Sequence, residues 1–395
     1  MKQVTIVGIG MSVDTLTAQG RRAIQQADAL IGAPRLIGQF EVLGKPSYDQ
    51  YTPDAVTHIL DGYENGCFCV LVSGDTGFYS AADGLCAALK GCSLTLIPGI
   101  SSLSYFFARL MRPWQDVAVI SCHGRRGNLV DTVRRNRLTF ALTGGNMANL
   151  GEELTDAGFG ELVAHVGENL GSPKEQILTL SVSGLSAAGT SSLAVVLIEN
   201  PSYDKRVRVG IPDGAFIRGD VPMTKAEIRA MTMSRLALFP DAVCCDIGAG
   251  TGSVTVEMAL AAYEGQVYAL DKNEEAIRLV TENCRAFHIG NVIPILGEAP
   301  DALHKMPPLD AAFIGGSSGR LMDIFDTLLL DNPSIHIVVN AVTLETVHEA
   351  TQAFAAYGIV PAIIQVNATR AKPVGNLHML QAGSSVFILS GGQNE

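Results

Sequence analysis

The stretch VCCDIGAGTGSVT, residues 243–255, determines the fold that the sequence predicts for the second half of the chain. A short apolar run ends in Asp246, three glycines then alternate with small residues, and a run with the pattern of an amphipathic helix follows. This order is typical of a strand, a tight loop and a helix. Residues 266–271 have the character of the next strand, which ends in Asp271, a carboxylate suited to binding the two hydroxyls of a ribose.

The spacing of these glycines favours one class of ligand. A dinucleotide site requires G-x-G-x-x-G, whereas the glycines here follow G-x-G-x-G and Ser253 stands at the sixth position. Together with Asp246, this pattern is typical of class I S-adenosylmethionine-dependent methyltransferases. The glycines are expected to let the backbone approach a flat ligand. An NAD or nucleotide site and a glycine-rich turn without a ligand remain the alternatives.

The charge balance argues against a nucleic-acid partner. The 395 residues include 28 Lys plus Arg and 39 Asp plus Glu, which gives a formal net charge of −11. Because phosphate backbones are bound by basic surfaces, this acidic chain is not expected to bind nucleic acid. A small anionic substrate needs only a local basic cleft and stays compatible with the composition. The length suffices for two or three domains with buried cores.

Cysteine usage and hydropathy predict a cytoplasmic protein. The eight cysteines show neither C-x-x-C spacing nor clusters with histidine, so no metal site is expected. Several lie in apolar runs such as residues 67–72, where a reduced thiol behaves as a small hydrophobic group. No uncharged apolar run approaches about 18 residues, so no membrane span is predicted. Met1 begins a strand-like run rather than a signal peptide.

The first half alternates strand-like and helix-like runs. Three apolar runs each end in a loop of small residues: 4–7, 67–72 and 94–97. A helical pattern extends from about Thr15 to Ala29. Loops at the carboxyl ends of parallel strands are where α/β sheets hold ligands, and the apolar runs predict buried parallel sheets. Ser101 and Ser102 fit helix N-caps better than nucleophiles.

Four segments of the first half resemble the tetrapyrrole (corrin/porphyrin) methylases. They are SGDTGFYS at 73–80, IPGISS at 97–102, SCHGR at 121–125 and ENLG at 168–171, in that family's order. One loop departs from the family, because Met11 and Ser12 follow Gly10 where the family usually has G-x-G-P-G. The loss of the proline and the third glycine makes this loop bulkier and leaves its approach to a ligand open.

The second half resembles the methyltransferases that act with this family in cobalamin biosynthesis. The matching segments are GIPDGAF at 210–216, TKAEIR at 224–229, DIGAGTGSV at 246–254, GEAPDAL at 297–303, FIGGS at 313–317 and VNAVTLE at 339–345. The motifs of both halves stand in order across nearly the whole chain. Fused in one chain, the two halves resemble the decarboxylating precorrin methyltransferases.

This resemblance implies a fold and an activity. The expected α/β fold is a tetrapyrrole methylase domain at 1–200, with two α/β subdomains at about 1–113 and 114–200, followed by a Rossmann-like class I methyltransferase domain at 205–395. The implied activity is methylation of a precorrin, with or without cobalt, at carbons 5 and 15 and decarboxylation of its ring C acetate. Another tetrapyrrole or a different small molecule is the alternative acceptor. The family also implies a homo-oligomer.

The resemblance implies two S-adenosyl-L-methionine sites per chain. In the first half the expected contacts are Gly8, Gly74, Asp75, Gly77, Phe78, Ser101, Ser102, Leu142 and Thr143. In the second half they are Thr224, Asp246, Gly248, Ala249, Gly250, Thr251, Gly252, Asp271, Glu298 and Ala299. Two of these residues have alternative roles, since Asp75 can bind only the backbone of its own loop and Thr224 can open a T-x-x-E capping box.

The substrate that the family implies is a polycarboxylate, which requires local cations. Arginine and protonated histidine suit carboxylates, so the expected substrate contacts are Arg109, His123, Arg125, Arg320 and Arg370. Methyl transfer from a sulfonium to an enamine-like carbon chiefly requires alignment, so no activated nucleophile is expected. His123 can also serve as a base, but the sequence identifies no catalytic acid or base.

Overall fold

The computed structural model describes residues 2–122, 128–187 and 193–392. The chain divides into two compact units. The first comprises Met1–Arg125, Leu138–Leu150 and Leu162–Glu199, and the second comprises Arg126–Arg137, Gly151–Glu161 and Asn200–Glu395. Two segments of the predicted first domain are therefore grouped with the second unit.

The first sheet has five parallel strands in the order β3-β2-β4-β1-β5. Its strands are β1 (Lys2–Gly8), β2 (Ala29–Gly32), β3 (Ser47–Asp49), β4 (Gly66–Val72) and β5 (Ser93–Ile97). The helices along this stretch are α1 (Ala18–Gln26), α2 (Pro34–Ile37), α3 (Pro53–Asp61), α4 (Ala82–Ala88) and α5 (Ser102–Arg109). Strands β1, β2 and β4 are buried between layers of helix, as the sequence predicts for a parallel sheet, whereas β5 is largely exposed at the edge of the sheet.

The second sheet is mixed, in the order β6-β7-β10-β8-β9. Its strands are β6 (Ala118–Ser121), β7 (Leu138–Leu142), β8 (Val163–Glu168), β9 (Gln176–Ser181) and β10 (Ala194–Glu199), and helices α6 (Leu129–Arg135) and α7 (Met147–Asp156) lie along this stretch. The prediction of parallel sheets is wrong here, because β10 runs antiparallel to both of its neighbours. A continuous apolar run indicates that both faces of a strand are buried, but it does not indicate whether the strand runs parallel or antiparallel to its neighbours.

The third sheet has seven strands in the order β13-β12-β11-β14-β15-β19-β16, and β17 and β18 form a separate hairpin. The strands are β11 (Val243–Ile247), β12 (Gln266–Asp271), β13 (Val292–Leu296), β14 (Ala311–Ile314), β15 (His336–Ala341), β16 (Ala362–Val366), β17 (Thr369–Val374), β18 (Leu377–Ala382) and β19 (Val386–Gly391). The helices are α8 (Ala226–Leu236), α9 (Ser253–Ala261), α10 (Glu274–Ala286), α11 (Leu321–Asp331) and α12 (Leu344–Ala356). The order of parallel strands reverses between β11 and β14, and such a point opens a crevice at the carboxyl ends.

Helix α9 starts directly after the glycine loop and is buried over its whole length up to Leu260. The amphipathic pattern predicted for it is therefore wrong, and Glu257 is fully buried. The Glu257 carboxylate accepts hydrogen bonds from the backbone N–H groups of Gly210 and Ile211, both at 2.9 Å, and pairs with the buried Arg229. A buried carboxylate persists in a core only when it is paired in this way.

The eight cysteines, all of which lie in the described ranges, are free thiols. Burial raises the pKa of Cys69 and of Cys284 to about 12, so these thiols act as packing groups rather than nucleophiles. Within residues 2–122, 128–187 and 193–392, no cluster of three or more His, Cys, Asp or Glu side chains is arranged to hold a metal ion. In the same ranges, no helix has the length and apolar character needed to cross a bilayer.

Candidate functional site

The glycine loop of the second half lies at the crevice between β11 and β14. Its three glycines have left-handed φ angles: Gly248 +81°, Gly250 +56° and Gly252 +74°. A Cβ on Gly250 would lie 2.4 Å from the carbonyl oxygen of Pro222, and one on Gly248 would lie 2.8 Å from the backbone nitrogen of Gly316. The backbone angles and the neighbouring protein atoms already require glycine at these positions, and close approach of a ligand to this loop stays a prediction.

Asp271 ends β12 beside this loop and is held by the backbone. One carboxylate oxygen accepts a hydrogen bond from the N–H of Gly250 at 2.9 Å, and the other accepts one from the N–H of Asn273 at 2.9 Å. Each oxygen keeps a second acceptor position. The carboxylate is thus fixed in orientation, and its binding to the two adjacent hydroxyls of a ribose stays a prediction.

A cleft of about 300 Å³ opens over Asp271 and the loop. Five residues expected from the sequence line it: Gly248, Gly250, Asp271, Glu298 and Ala299. Sequence reasoning missed further lining residues, among them Pro222, Lys272, Gly316 and Ser318. Lys272 donates hydrogen bonds to Glu298 at 3.2 Å and to Ser318 at 2.9 Å, which ties one rim of the cleft together. The cleft reaches the lower size limit of small-molecule sites.

Four other expected contacts do not line the cleft: Asp246, Ala249, Thr251 and Gly252. Asp246 is fully buried under the loop, where Thr255 donates a hydrogen bond of 2.5 Å to one of its oxygens. The other oxygen of Asp246 and the hydroxyl of Thr251 have no hydrogen-bond partner within the described chain. Complete burial raises the pKa of Asp246 to about 7, against the opposing effect of the Thr255 hydrogen bond, and the negative charge of Asp271 adds to the rise.

A second cavity, of about 660 Å³, shares Pro222 and Gly315 with the cleft as wall residues. Thr224 lines this second cavity rather than the cleft. The alternative role of Thr224 in a capping box is wrong, because Lys225 is the N-cap of α8 and makes no side-chain cap. The first backbone N–H of α8 is instead satisfied by the carboxylate of Asp213 at 2.9 Å.

Arg229 supports the segment that separates the two cavities. It is fully buried and donates to Glu257 at 2.5 Å and to the backbone carbonyl of Thr224 at 2.6 Å. Its guanidinium carbon lies 4.7 Å from the centre of the Phe216 ring. This arginine therefore fixes the position of Thr224 from the protein interior and is not available to a substrate.

The arginines expected to bind substrate carboxylates are paired with carboxylates of the chain. Arg109 pairs with Glu175 at 2.7 Å, Arg320 with Asp301 at 3.0 Å and Asp323 at 3.2 Å, and Arg370 with Glu227 at 2.5 Å and Asp213 at 3.1 Å. Arg370 nevertheless lines the second cavity, together with Lys225. The other two expected contacts, His123 and Arg125, lie outside the described residues.

In the first half, three strand-end glycines meet. A Cβ on Gly8 would lie 2.6 Å from the carbonyl oxygen of Gly74 and 2.8 Å from the nitrogen of Gly99. Asp75 joins the same loops, since its carboxylate accepts hydrogen bonds from Gly77 N–H at 2.8 Å and Gly99 N–H at 3.1 Å. The structure thus gives Asp75 the loop-binding role that the sequence left as an alternative.

The remaining expected contacts of the first half have structural partners. Ser101 is the N-cap of α5 and accepts a hydrogen bond from Ser104 N–H at 3.1 Å, as predicted, and Ser102 is the first residue of that helix. Thr143 is buried and donates to a backbone carbonyl at 2.8 Å. Phe78 and Leu142 pack against one apolar cluster.

The loop that departs from the tetrapyrrole methylase pattern is filled by Met11. A Cβ on Gly171 would lie 2.6 Å from the Cβ of Met11, and one on Gly74 would lie 3.5 Å from its terminal methyl group. The hydroxyl of Thr15 accepts hydrogen bonds from the N–H groups of Met11 and Ser12 at 2.8 and 2.9 Å. Thr15 thus holds this loop in the absence of the proline.

We expect Gly250→Ala to weaken donor binding at the cleft by at least about tenfold. Alanine is strained in the left-handed backbone conformation of this position, and its methyl group would also clash with the carbonyl oxygen of Pro222. Gly319→Ala is the matched control, since Gly319 also has a left-handed φ of +76° but a Cβ there meets nothing within 4 Å. Calorimetric titration of both variants with S-adenosylmethionine measures the difference. Equal affinities for the two variants would contradict the role assigned to the Gly250 contact.

Each half of the chain matches the model of a known protein family. The model of the tetrapyrrole (corrin/porphyrin) methylases matches residues 3–185, and that of the precorrin methyltransferase domain matches residues 215–391. A probable cobalt-precorrin-6B C(15)-methyltransferase (decarboxylating) of Sulfurisphaera tokodaii is 39% identical over 46% of this chain and 96% of its own. The precorrin-6Y C(5,15)-methyltransferase [decarboxylating] of Sinorhizobium sp is 28% identical over 95% of this chain and 92% of its own.

Solved structures include a precorrin-6Y C5,15-methyltransferase from Geobacter metallireducens GS-15, which is 33% identical over 48% of this chain and 98% of its own, with a TM-score of 0.45. Fold, glycine loop and relatives together define a methyltransferase. More narrowly, the chain belongs to the decarboxylating precorrin methyltransferases. A uroporphyrin-III C-methyltransferase from Thermus thermophilus, which is 15% identical to this chain with a TM-score of 0.43, was solved in complex with S-adenosylhomocysteine.

Proposed function

We propose that this enzyme methylates precorrin-6Y, or its cobalt form, at carbons 5 and 15 and decarboxylates the ring C acetate in cobalamin biosynthesis. The relative from Sinorhizobium sp, whose name states both methylations and the decarboxylation, supports this over nearly the full length. The observation on which the proposal chiefly rests is that the donor cleft and the second cavity share Pro222 and Gly315 as walls. A donor in one and an acceptor in the other would meet at these residues.

The donor supplies an electrophilic methyl group from a sulfonium, and the chain supplies alignment. Asp271, held by two backbone N–H groups, orients the ribose end of the cleft without further rearrangement. Arg229 fixes Thr224 at the wall of the second cavity, which keeps the acceptor side at a constant distance from the cleft. Such fixed positioning can account for much of the rate of a bimolecular transfer.

For the decarboxylation, we propose the second cavity as the site. Loss of carbon dioxide leaves an electron pair that the conjugated macrocycle can accept, so the chain need not supply an electron sink. Lys225 lines this cavity and, among the described residues, forms no ion pair with a carboxylate. It is placed to bind a substrate carboxylate that stays on the macrocycle. The relative from Sulfurisphaera tokodaii, named for C(15) methylation and decarboxylation, has the length of about half this chain and supports a division of labour.

We also propose a donor site in the first half, a domain boundary, a cellular setting and an oligomeric state. A second donor site in the first half is supported by the meeting of Gly8, Gly74 and Gly99 at the carboxyl ends of parallel strands. The boundary between the two catalytic domains is proposed at residues 200–205. A reducing, cytoplasmic setting is supported by eight free cysteines, and a homo-oligomer is proposed from the family resemblance alone.

Mass spectrometry of the product made by the full chain tests the proposal. The wild-type enzyme is expected to add two methyl groups to the precorrin and remove one carbon dioxide. Asp271→Asn is expected to add only one methyl group, because it impairs only the donor site of the second half. Glu282→Gln, on the exposed surface of α10, is the matched control and should behave as wild type. Two methylations by the Asp271→Asn variant would refute the assignment of the cleft.

A further inference from the structure

A third cavity, of about 580 Å³, lies in the first half at the carboxyl ends of β2 and β4. Its wall starts where these strands end, with Arg35 in the short helix α2 after β2 and Ser73 directly after β4. Tyr51, Tyr79 and Ser80 complete the polar part of the wall. Carboxyl ends of parallel strands are the usual ligand-binding edge of an α/β sheet. The glycine and serine contacts predicted for a donor in this half do not line this cavity.

Arg35 differs from the arginines that sequence reasoning singled out. Arg109, Arg320 and Arg370 are each neutralised by carboxylates of the chain. No carboxylate of the described residues lies within ion-pair distance of Arg35, and burial alone lowers the pKa of its guanidinium. The Arg35 side chain is only partly desolvated and stays exposed to solvent, so an incoming anion can reach a guanidinium that the chain does not neutralise. Arginine's planar fork is matched to a carboxylate.

Tyr79 presents an aromatic ring to the same cavity from a strained backbone. Its φ is +48°, in the left-handed region that a bulky residue rarely adopts, and 52% of the residue is exposed. Its ring meets the ring of Phe78 edge to face at 5.2 Å, which holds it in place. Strained residues that the surrounding structure maintains cluster at ligand sites. An exposed aromatic face suits a flat conjugated ligand.

Ser80 adds a hydrogen-bond donor to this wall. Its hydroxyl oxygen accepts a hydrogen bond from the N–H of Ala82 at 3.2 Å, so its hydrogen remains available to an anion. The cavity thus combines one unpaired cation, a hydroxyl donor and two tyrosines. This chemistry fits a flat ring system that carries carboxylates better than it fits a neutral or cationic ligand.

We propose that this cavity is a carboxylate-binding site of the first half, in which Arg35 receives an acetate or propionate side chain of the tetrapyrrole that this half methylates. The inference rests on the proposed function and deepens it, since it identifies the group that positions the substrate in the first half. Arg35 is a binding and positioning residue in this proposal and takes no part in bond making.

The test measures KM and kcat for each methylation by the full-length chain, with the first-half step defined as the one that survives Asp271→Asn. Arg35→Gln is expected to raise the KM of that step on the order of 10- to 100-fold, the effect of losing a hydrogen-bonded ion pair. Arg35→Lys should recover part of the loss. The methylation by the second half and the decarboxylation are the internal control, and their KM and kcat should not change.

Arg22→Gln is the matched control, because Arg22 is an exposed arginine of α1 that does not line the cavity. If Arg35→Gln and Arg22→Gln give the same KM, the inference is overturned while the proposed function stands. If the wild-type chain transfers no methyl group, the proposed function fails, and binding of uroporphyrin, a porphyrin with acetate and propionate groups, then tests the site directly. Weaker uroporphyrin binding by Arg35→Gln alone would support the site, and equal binding by both variants would overturn it.

Discussion

Arg229→Met is expected to lower the free energy of unfolding by about 3–5 kcal/mol, the cost of leaving a buried carboxylate without its partner. Both Arg229 and Glu257 are fully buried, and Arg229 also donates to the backbone carbonyl of Thr224 at 2.6 Å. The variant loses the counter-charge of Glu257 and the support of the cavity wall together. Urea unfolding of the full chain, followed by circular dichroism, measures the loss.

The double variant Arg229→Met/Glu257→Gln separates the charge from the packing. Glutamine keeps an oxygen for the N–H groups of Gly210 and Ile211, which Glu257 now binds at 2.9 Å, but carries no charge. We expect it to recover most of the stability that the single variant loses. A single variant that unfolds at the same urea concentration as wild type would show that water or another group compensates Glu257.

Asp246→Asn is expected to remove a pH dependence from the stability of the wild-type protein. Burial raises the pKa of Asp246 from 3.8 to about 7, so the folded protein binds the proton more tightly than the unfolded chain. The favourable contribution is complete below the unfolded pKa, and it is lost as the pH rises through the folded value near 7. The loss amounts to roughly 4 kcal/mol at most, at about 1.4 kcal/mol per pKa unit.

Thermal unfolding between pH 5 and pH 8, at roughly one-unit steps, measures this effect. The melting temperature of the wild type should fall across this range relative to that of Asp246→Asn, because asparagine cannot ionise. Asp241→Asn, a carboxylate in the exposed turn before β11, provides the matched control and should keep the wild-type profile. Parallel profiles for wild type and Asp246→Asn would mean that Asp246 titrates well below pH 7.

Local chemistry made the centre of the second half predictable. Strand β12 has the bounds that the sequence predicts and β11 extends one residue beyond Asp246, because an apolar run followed by glycines leaves few alternatives. The helix predicted from about Thr15 to Ala29 is shorter, because Thr17 caps α1 and Ala29 already belongs to β2. The direction of β10 and the burial of α9 depend on neighbours distant in sequence, which no local pattern specifies.

In the candidate sites too, features set by local sequence were predictable and features set by distant neighbours were not. The position of Asp271 beside the glycine loop was predictable because it follows from the end of an apolar strand. The pairing of Arg109, Arg320 and Arg370 was not, because their partner carboxylates approach through the tertiary fold. Arg35 was missed for the converse reason, since nothing in the sequence distinguishes an arginine without a partner from one with a partner. The T-x-x-E pattern at Thr224 misled because Asp213 satisfies the helix terminus from outside it.

The internal pairing of the arginines also affects how fast a substrate arrives. Cations tied to carboxylates project little positive potential, so the formal charge of −11 sets the long-range field that an approaching polycarboxylate meets. Encounter between two anions is slowed by repulsion, and the repulsion weakens once ions screen it over roughly 8 Å at physiological salt. Capture of the macrocycle should therefore accelerate with moderate salt, the reverse of electrostatic steering, and attraction should begin only within reach of cations such as Arg35 and Lys225.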